Sequence, residues 1–297
     1  MDVELWIPIT IAAAFVQNIR SVLQKQLTGR LSVNGASYVR FCYALPFVWL
    51  YLAALGATRE VPSLSREFFA YCLVGGVGQI VATSALVASF TYRNFAVGTA
   101  FSKTEVVQAA VFGLLVLGDP VSWTVALGIA VSLLGVWLLS VNVGWREFRR
   151  GSAGLAPALG LGVASGACFA VAFVCYRGAA LSLPEGDYLI RAATTLTTAV
   201  TLQWVLMAIY LGVREGGELS RVAAAWRPGL GVGLAGALAS IGWFTAATLE
   251  TAALVRGLGQ VELIFAFAAS IWLFNERATR REVAGVVLIV VGVWVLV

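Results

Sequence analysis

Apolar residues run along this chain in long unbroken blocks, and polar residues fall between them in short clusters. Blocks of about 18–25 apolar residues have the length of a helix that crosses a bilayer, where each backbone group must be satisfied within the helix. The pattern predicts ten spans: Val3–Leu23, Gly35–Leu55, Phe68–Phe90, Ala96–Leu117, Trp123–Val143, Leu155–Tyr176, Tyr188–Leu211, Pro228–Leu249, Leu254–Phe274 and Val283–Val297. The longest polar links, Gly56–Glu67, Gly144–Ser152 and Gly212–Arg227, leave no room for a soluble domain.

The polar landmarks recur. A shift of 157 residues (262 − 105 = 157; 292 − 135 = 157) carries Glu105 onto Glu262, Asp119 onto Glu276, Gly128 onto Gly285, Gly135 onto Gly292 and Trp137 onto Trp294. The same shift carries Arg20 onto Arg177, Gly76 onto Gly233 and Thr83 onto Ser240. The second and seventh spans need another shift, which sets Tyr38 and Arg40 beside Tyr188 and Arg191. The chain thus reads as two five-span halves, 1–150 and 151–297. Five is odd, so the halves are expected in opposite orientations. The predicted fold is an all-α integral membrane protein of ten transmembrane helices in two inverted five-helix repeats. In that architecture a site forms at the bilayer midplane between the halves.

Composition agrees with the pattern. The chain is 60% hydrophobic and 12% charged, with a mean hydropathy of +0.89, against about 25% charge in soluble domains. The excess of Lys and Arg, 20 against 15 acids, sits mostly in short links, which makes it a topology signal and not a nucleic-acid patch. Twelve Lys and Arg fall in odd-numbered links and four (Arg59, Arg66, Arg177 and Arg256) in even-numbered ones. The positive-inside rule then places both termini outside. The first span follows Asp2 and Glu4 rather than a cationic stretch, so it is expected to stay as an anchor. Trp6, Trp49, Trp123, Trp145 and Trp226 lie near span ends, as interfacial aromatics do.

The chain has no histidine, which removes His-based catalysis and most zinc sites. Cys42, Cys72, Cys168 and Cys175 lie in apolar runs without a CxxC and read as packing residues. Gly231–Gly236 (GVGLAG) lies inside an apolar span and not between a strand and a helix, so it is packing and not a phosphate loop. No cofactor, metal or nucleic-acid partner is expected.

Each half closes with a glutamate-bearing helix, an acidic turn (Gly118–Asp119, Asn275–Glu276) and a helix of the form G-x6-G-V-W. Over essentially the whole chain this resembles the EamA-type transporters of the drug/metabolite transporter superfamily. The resemblance implies a ten-helix carrier with a central cavity open to one side at a time. It also implies cytoplasmic termini, opposite to the charge count, so the residues leave topology open.

The candidate substrate-binding residues are the polar ones inside spans. Glu105 and Glu262 sit near mid-span at equivalent repeat positions, where a carboxylate is costly and usually functional. Phe101, Glu105, Gln108 and Phe112 share one helix face, as do Leu258, Glu262 and Phe265. Lys103 points away from Glu105 on a helix, and either faces another helix or snorkels; its repeat partner is Gln260. Gln79, Gln17 and Asn18 are amides within apolar runs and complete the set. Arg20, Arg40, Arg177 and Arg191, near span ends, are expected to snorkel to the interface. The expected function is secondary transport, as exporter or exchanger, of a small organic metabolite such as an amino acid or amine. The partners are that substrate, the lipid bilayer of a bacterial plasma membrane, and protons as a candidate coupling ion. The alternative is a proton-coupled exporter of lipophilic cations. An intramembrane enzyme is disfavoured, because no Ser–Lys or paired-Asp constellation can be placed.

Overall fold

The structure is a computed structural model that describes residues 4–25, 27, 29–92, 101–148, 155–274 and 279–297. Among these residues the regular structure is all helix. In chain order the helices are α1 (Trp6–Lys25), α2 (Val33–Gly56), α3 (Arg66–Tyr92), α4 (Glu105–Leu117), α5 (Trp123–Phe148) and α6 (Leu155–Ser182). Then come α7 (Tyr188–Arg214), α8 (Glu218–Ala224), α9 (Trp226–Leu249), α10 (Ala252–Leu258), α11 (Val261–Phe274) and α12 (Arg280–Leu296). Six described helices are long and apolar enough to cross a membrane, and Glu105–Leu117 and Trp123–Leu139 are shorter apolar helices. Large apolar side chains such as Leu50, Leu115, Val213 and Trp294 stand exposed on them, a surface that suits lipid. The chain is a multi-pass integral membrane protein. The turn Asn275–Glu276, the start of the fourth span at Ala96 and residues 149–151 of the basic link lie outside the described residues.

Helix ends follow local chemistry. Ser32 caps α2 by accepting from Gly35 N at 2.9 Å, and Asp187 caps α7 by accepting from Leu189 N and Ile190 N. Thr279 and Glu282 form a reciprocal capping box at α12. The Gly118–Asp119 turn is a helix stop. Gly118 adopts φ 71°, its N–H reaches Leu114 O, and Asp119 N reaches Gly113 O. The Asp119 carboxylate, buried, then accepts from Ala252 N at 3.4 Å, at the start of α10.

The chain forms two compact units, and each draws on both sequence halves. Unit 1 comprises Met1–Ile80 and Cys175–Glu250; unit 2 comprises Val81–Val174 and Thr251–Val297. The halves 1–150 and 151–297 are therefore not themselves compact units. In unit 1, α1 packs on α9 and α2 on α7. Gly229 of α9 admits the Tyr43 ring, whose hydroxyl donates to Val222 O, and Gly233 admits the Tyr43 backbone. The short α8 lies within the polar link Gly212–Arg227. The loop before it and its first residue hold the start of α2. Glu218, fully buried, accepts from Ser32 N at 2.6 Å, while Glu215 accepts from Ser32 Oγ and from Asn34 Nδ2.

Unit 2 is built on α5 against α12. Gly128 abuts Gly292 O and Gly135 abuts Gly285 O, so numbering rises along one helix as it falls along the other. The pair is antiparallel, and the glycines that the repeat equates meet crosswise. Without side chains the backbones come close enough for dispersion contacts along the crossing.

The expectation that the arginines snorkel from span ends is corrected for three of them. Arg20 and Arg177 are each 9% exposed. Arg177 donates to Ala247 O at 2.7 Å and to Glu250 O, closing the C-terminus of α9, where a cation is favourable. Arg20 and Arg40 lie against Gly236, which leaves room for their stems. Arg191 does stay at a helix end, donating to Glu185 O and Pro184 O. Trp6, at the start of α1, is buried against protein, whereas Trp49, Trp123 and Trp226 are exposed.

Candidate functional site

The two spans that carry the repeat-related glutamates are not continuous helices. In the fourth, helix gives way to a turn at Lys103–Thr104 before α4 begins at Glu105. In the ninth, α10 ends at Leu258 and α11 begins at Val261, with Gly259–Gln260 as the turn. The breaks correspond under the repeat shift (260 − 103 = 157). At each, backbone bonding tightens to the i→i+3 pattern. Val106 N donates to Lys103 O in one, and Glu262 N to Gly259 O in the other. Thr104 aids the first break by donating its hydroxyl to Phe101 O, which competes with helix bonding. Glu105 and Glu262 thus stand in the first turns of α4 and α11, the positive ends of those helices. Irregular backbone at membrane depth is tolerated where it is buried in protein or lines a cavity.

Both glutamates have basic partners. Glu105, 5% exposed, pairs with the Arg256 guanidinium. Lys103 Nζ lies 3.6 Å from Glu262 Oε2. Arg256 also feels the charge of Glu262, and its guanidinium lies 5.2 Å from the Phe173 ring centroid. Two acids and two bases therefore form one cluster inside unit 2. Arg256 occupies the last turn of α10, the end that favours a cation. Removing one member of such a buried pair strands the other, at a cost of about 3–5 kcal/mol.

Gln108, one turn after Glu105, donates to Val163 O at 3.5 Å, and its Oε1 is buried without a hydrogen bond. Gly166 of α6 approaches this place: an added Cβ would stand 2.8 Å from Ser102 O, 3.0 Å from Thr104 Oγ1 and 3.1 Å from Gln108 Oε1. Gln260, in the second break, is 2% exposed with neither amide atom hydrogen-bonded. Such groups are costly in the resting arrangement.

Of the residues expected in one site, Glu105, Glu262, Lys103, Gln108 and Gln260 all belong to unit 2, while Gln17, Asn18 and Gln79 belong to unit 1. Gln17 accepts from Trp243 Nε1 at 3.0 Å, and Asn18 donates to Ala14 O of its own helix at 3.2 Å. Gln79 joins a buried network: its Oε1 accepts from Gln203 Nε2 at 2.6 Å and from Tyr176 Oη at 3.1 Å.

Sequence reasoning passed over Arg256, Phe173, Gln203 and Tyr176. Arg256 was placed in a link, but the link is Glu250–Thr251 and Thr251 starts α10 by accepting from Leu254 N. That capping threonine ahead of an apolar heptapeptide was the available signal. Among the described residues no group of three or more His, Cys, Asp or Glu is placed to hold a metal ion.

Residues 4–141 match the EamA-like transporter family. A solved crystal structure, described only as that of a protein, aligns over 98% of this chain and 96% of its own. Its TM-score is 0.74 and its identity 14%, a likeness of fold. No curated protein matches the sequence.

Proposed function

We propose that this chain, of which residues 4–141 match the EamA-like transporter family, is a secondary transporter of the drug/metabolite transporter superfamily that carries a small zwitterionic metabolite of the amino-acid class. It works by alternating access, with ten spans in two inverted repeats. The observation that carries the substrate class is the charge cluster at the two helix breaks, Glu105 with Arg256 and Lys103 with Glu262. Four charges that sum to zero can accept a ligand that also sums to zero. The ammonium of an amino acid takes up a glutamate while its carboxylate takes up Arg256 or Lys103, so no charge is left without a partner. A lipophilic cation or simple amine engages a glutamate and strands a base, which disfavours the cation-exporter reading and the amine half of the earlier expectation. The antiparallel α5–α12 pair, with equated glycines meeting crosswise, supports the inverted repeat.

The test is counterflow into proteoliposomes with a matched series: an amino acid, its decarboxylated amine, and its N-acetyl derivative. The zwitterion should exchange, and each singly charged analogue should lose most of the flux. Equal transport of the amine would return the cation exporter to first place.

A further inference from the structure

We infer that Gln260 is a positioning residue for transport: in a second arrangement of unit 2 its amide takes over Glu105 and frees Arg256 for the substrate. The inference rests on the inverted repeat and the charge cluster of the proposed function. It starts from an amide that the present arrangement does not use. Gln260 is 2% exposed, and neither its Nε2 nor its Oε1 has a hydrogen bond. Water does not reach it, so the unmade bonds are costly. Gln203 shows the ordinary case, equally buried and donating to both Gln79 Oε1 and Tyr176 Oη. A buried amide left idle in one state of a moving protein points to a partner in another state.

The repeat names that partner. The shift that carries Lys103 onto Gln260 also carries Glu105 onto Glu262. The contact of Lys103 with Glu262, 3.6 Å here, therefore has a counterpart, Gln260 with Glu105. The first contact is made and the second is not, because Glu105 is held by Arg256. The two helix breaks thus match in sequence position and differ in state. An inverted-repeat carrier opens to the other side when one repeat moves against the other. If the repeats exchange conformations, the counterpart contact forms.

The move required is short. Arg256 lies one helical turn before Gln260, and the chain between them stays coiled. Gly259 N donates to Val255 O at 2.9 Å and Gln260 N to Gly257 O at 3.2 Å. Residues four apart share a helix face. Helix α10 packs on α4, whose first residue is Glu105. A slide of one turn, about 5.4 Å, between these helices takes Glu105 from Arg256 to Gln260. The Gln260 N–H group then donates to the carboxylate. Arg256 also feels the charge of Glu262, which holds it until a substrate carboxylate arrives. No charge is stranded, so the exchange of partners proceeds in the empty protein as well.

Nuclear magnetic resonance of the full-length protein in detergent, with glutamine side chains labelled by nitrogen-15, tests this without any substrate. The Gln260 signal is identified by its loss in Gln260→Leu. In wild type it should show microsecond-to-millisecond exchange by relaxation dispersion. In the double variant Glu105→Met with Arg256→Met, which removes the second partner and strands no charge, that exchange should vanish. A Gln260 signal without exchange in wild type, or exchange undiminished in the double variant, would overturn the inference. Counterflow supplies the second readout. Gln260→Leu should lower exchange of the zwitterion by about tenfold or more. Its melting temperature should stay at or above wild type, because an apolar side chain replaces an unsatisfied amide. Wild-type flux in Q260L would overturn the role of Gln260 and leave the zwitterion reading standing. A wild type that carries no zwitterion, yet shows Gln260 exchange dependent on Glu105, would remove the substrate class and uphold the exchange of partners.

Discussion

Gly135→Ala probes the contact on which unit 2 is assembled. An alanine Cβ there would lie 2.6 Å from Gly285 O and 2.8 Å from Ile289 N. Ordinary contact begins near 3.4 Å, so the shortfall is 0.8 Å (3.4 − 2.6). Both clashing atoms are backbone of α12 and cannot rotate away, so the helix axes must separate. A gap of about 0.5–1 Å forfeits a quarter to a half of each dispersion contact along the crossing. Overpacking of this kind costs about 1–3 kcal/mol. At about 2–4 °C per kcal/mol, the melting temperature should fall by several degrees. Gly285→Ala pushes the same axes apart from the other side, its Cβ standing 2.8 Å from Gly135 O. The double variant should therefore cost less than the sum of the singles. Gly160→Ala, which meets nothing within 4 Å, is the control and should melt at or above wild type. The assay is thermal unfolding in detergent. A wild-type melting temperature for G135A, or strict additivity in the double, would refute the close antiparallel crossing.

Three further outcomes follow from the structure. The Arg59 guanidinium, 2.8 Å from Asp187, holds that carboxyl below its ordinary range, helped by the Ile190 and Leu189 amides. A depressed folded-state value means stability that is present above the ordinary carboxylate range and lost as pH falls through the folded value. Arg59→Gln should thus narrow the loss of melting temperature between neutral and acid pH, and an unchanged pH profile would refute the link. Gln203→Leu removes a donor that is 1% exposed, and should lower stability by about 1–3 kcal/mol, measured by thermal unfolding against wild type. Gly118→Ala forces a side chain into the left-handed region at φ 71° and should cost about 1–2 kcal/mol; an unchanged melt would mean that the turn relaxes freely.

Much of this was legible in residue order. Apolar block length gave the long helices, because a span must close its own hydrogen bonds. The constant shift picked out Glu105 and Glu262, and it also picked out Gly128, Gly135, Gly285 and Gly292, which proved to meet each other across one crossing. What residue order concealed were pairings between distant segments. Arg256 lies 151 residues from Glu105, and the repeat shift sets it on Thr99 (256 − 157 = 99) and not on another base, so neither periodicity nor symmetry could join them. The helix breaks escaped because turns at Lys103–Thr104 and Gly259–Gln260 leave hydropathy unchanged; only the switch to i→i+3 bonding reveals them. Arg20, Arg40 and Arg177 were misread because long stems near span ends ordinarily reach water. Here Gly236 makes room for two of them and the C-terminus of α9 takes the third.

The central claim is that the Glu105–Arg256 pair serves transport and is not merely a structural tie. Replacing both partners by neutral side chains of similar size separates the two roles. Glu105→Gln alone takes the ion-pair partner from Arg256, leaving the cluster one base in excess, and should cost about 3–5 kcal/mol of stability along with the flux. The double variant Glu105→Gln with Arg256→Met leaves no stranded charge, so its melting temperature should return towards wild type. Counterflow of the transported zwitterion into proteoliposomes, normalised to folded protein, is the deciding measurement. The account predicts that the double variant is stable and still inactive. A double variant that recovers both stability and flux would contradict it.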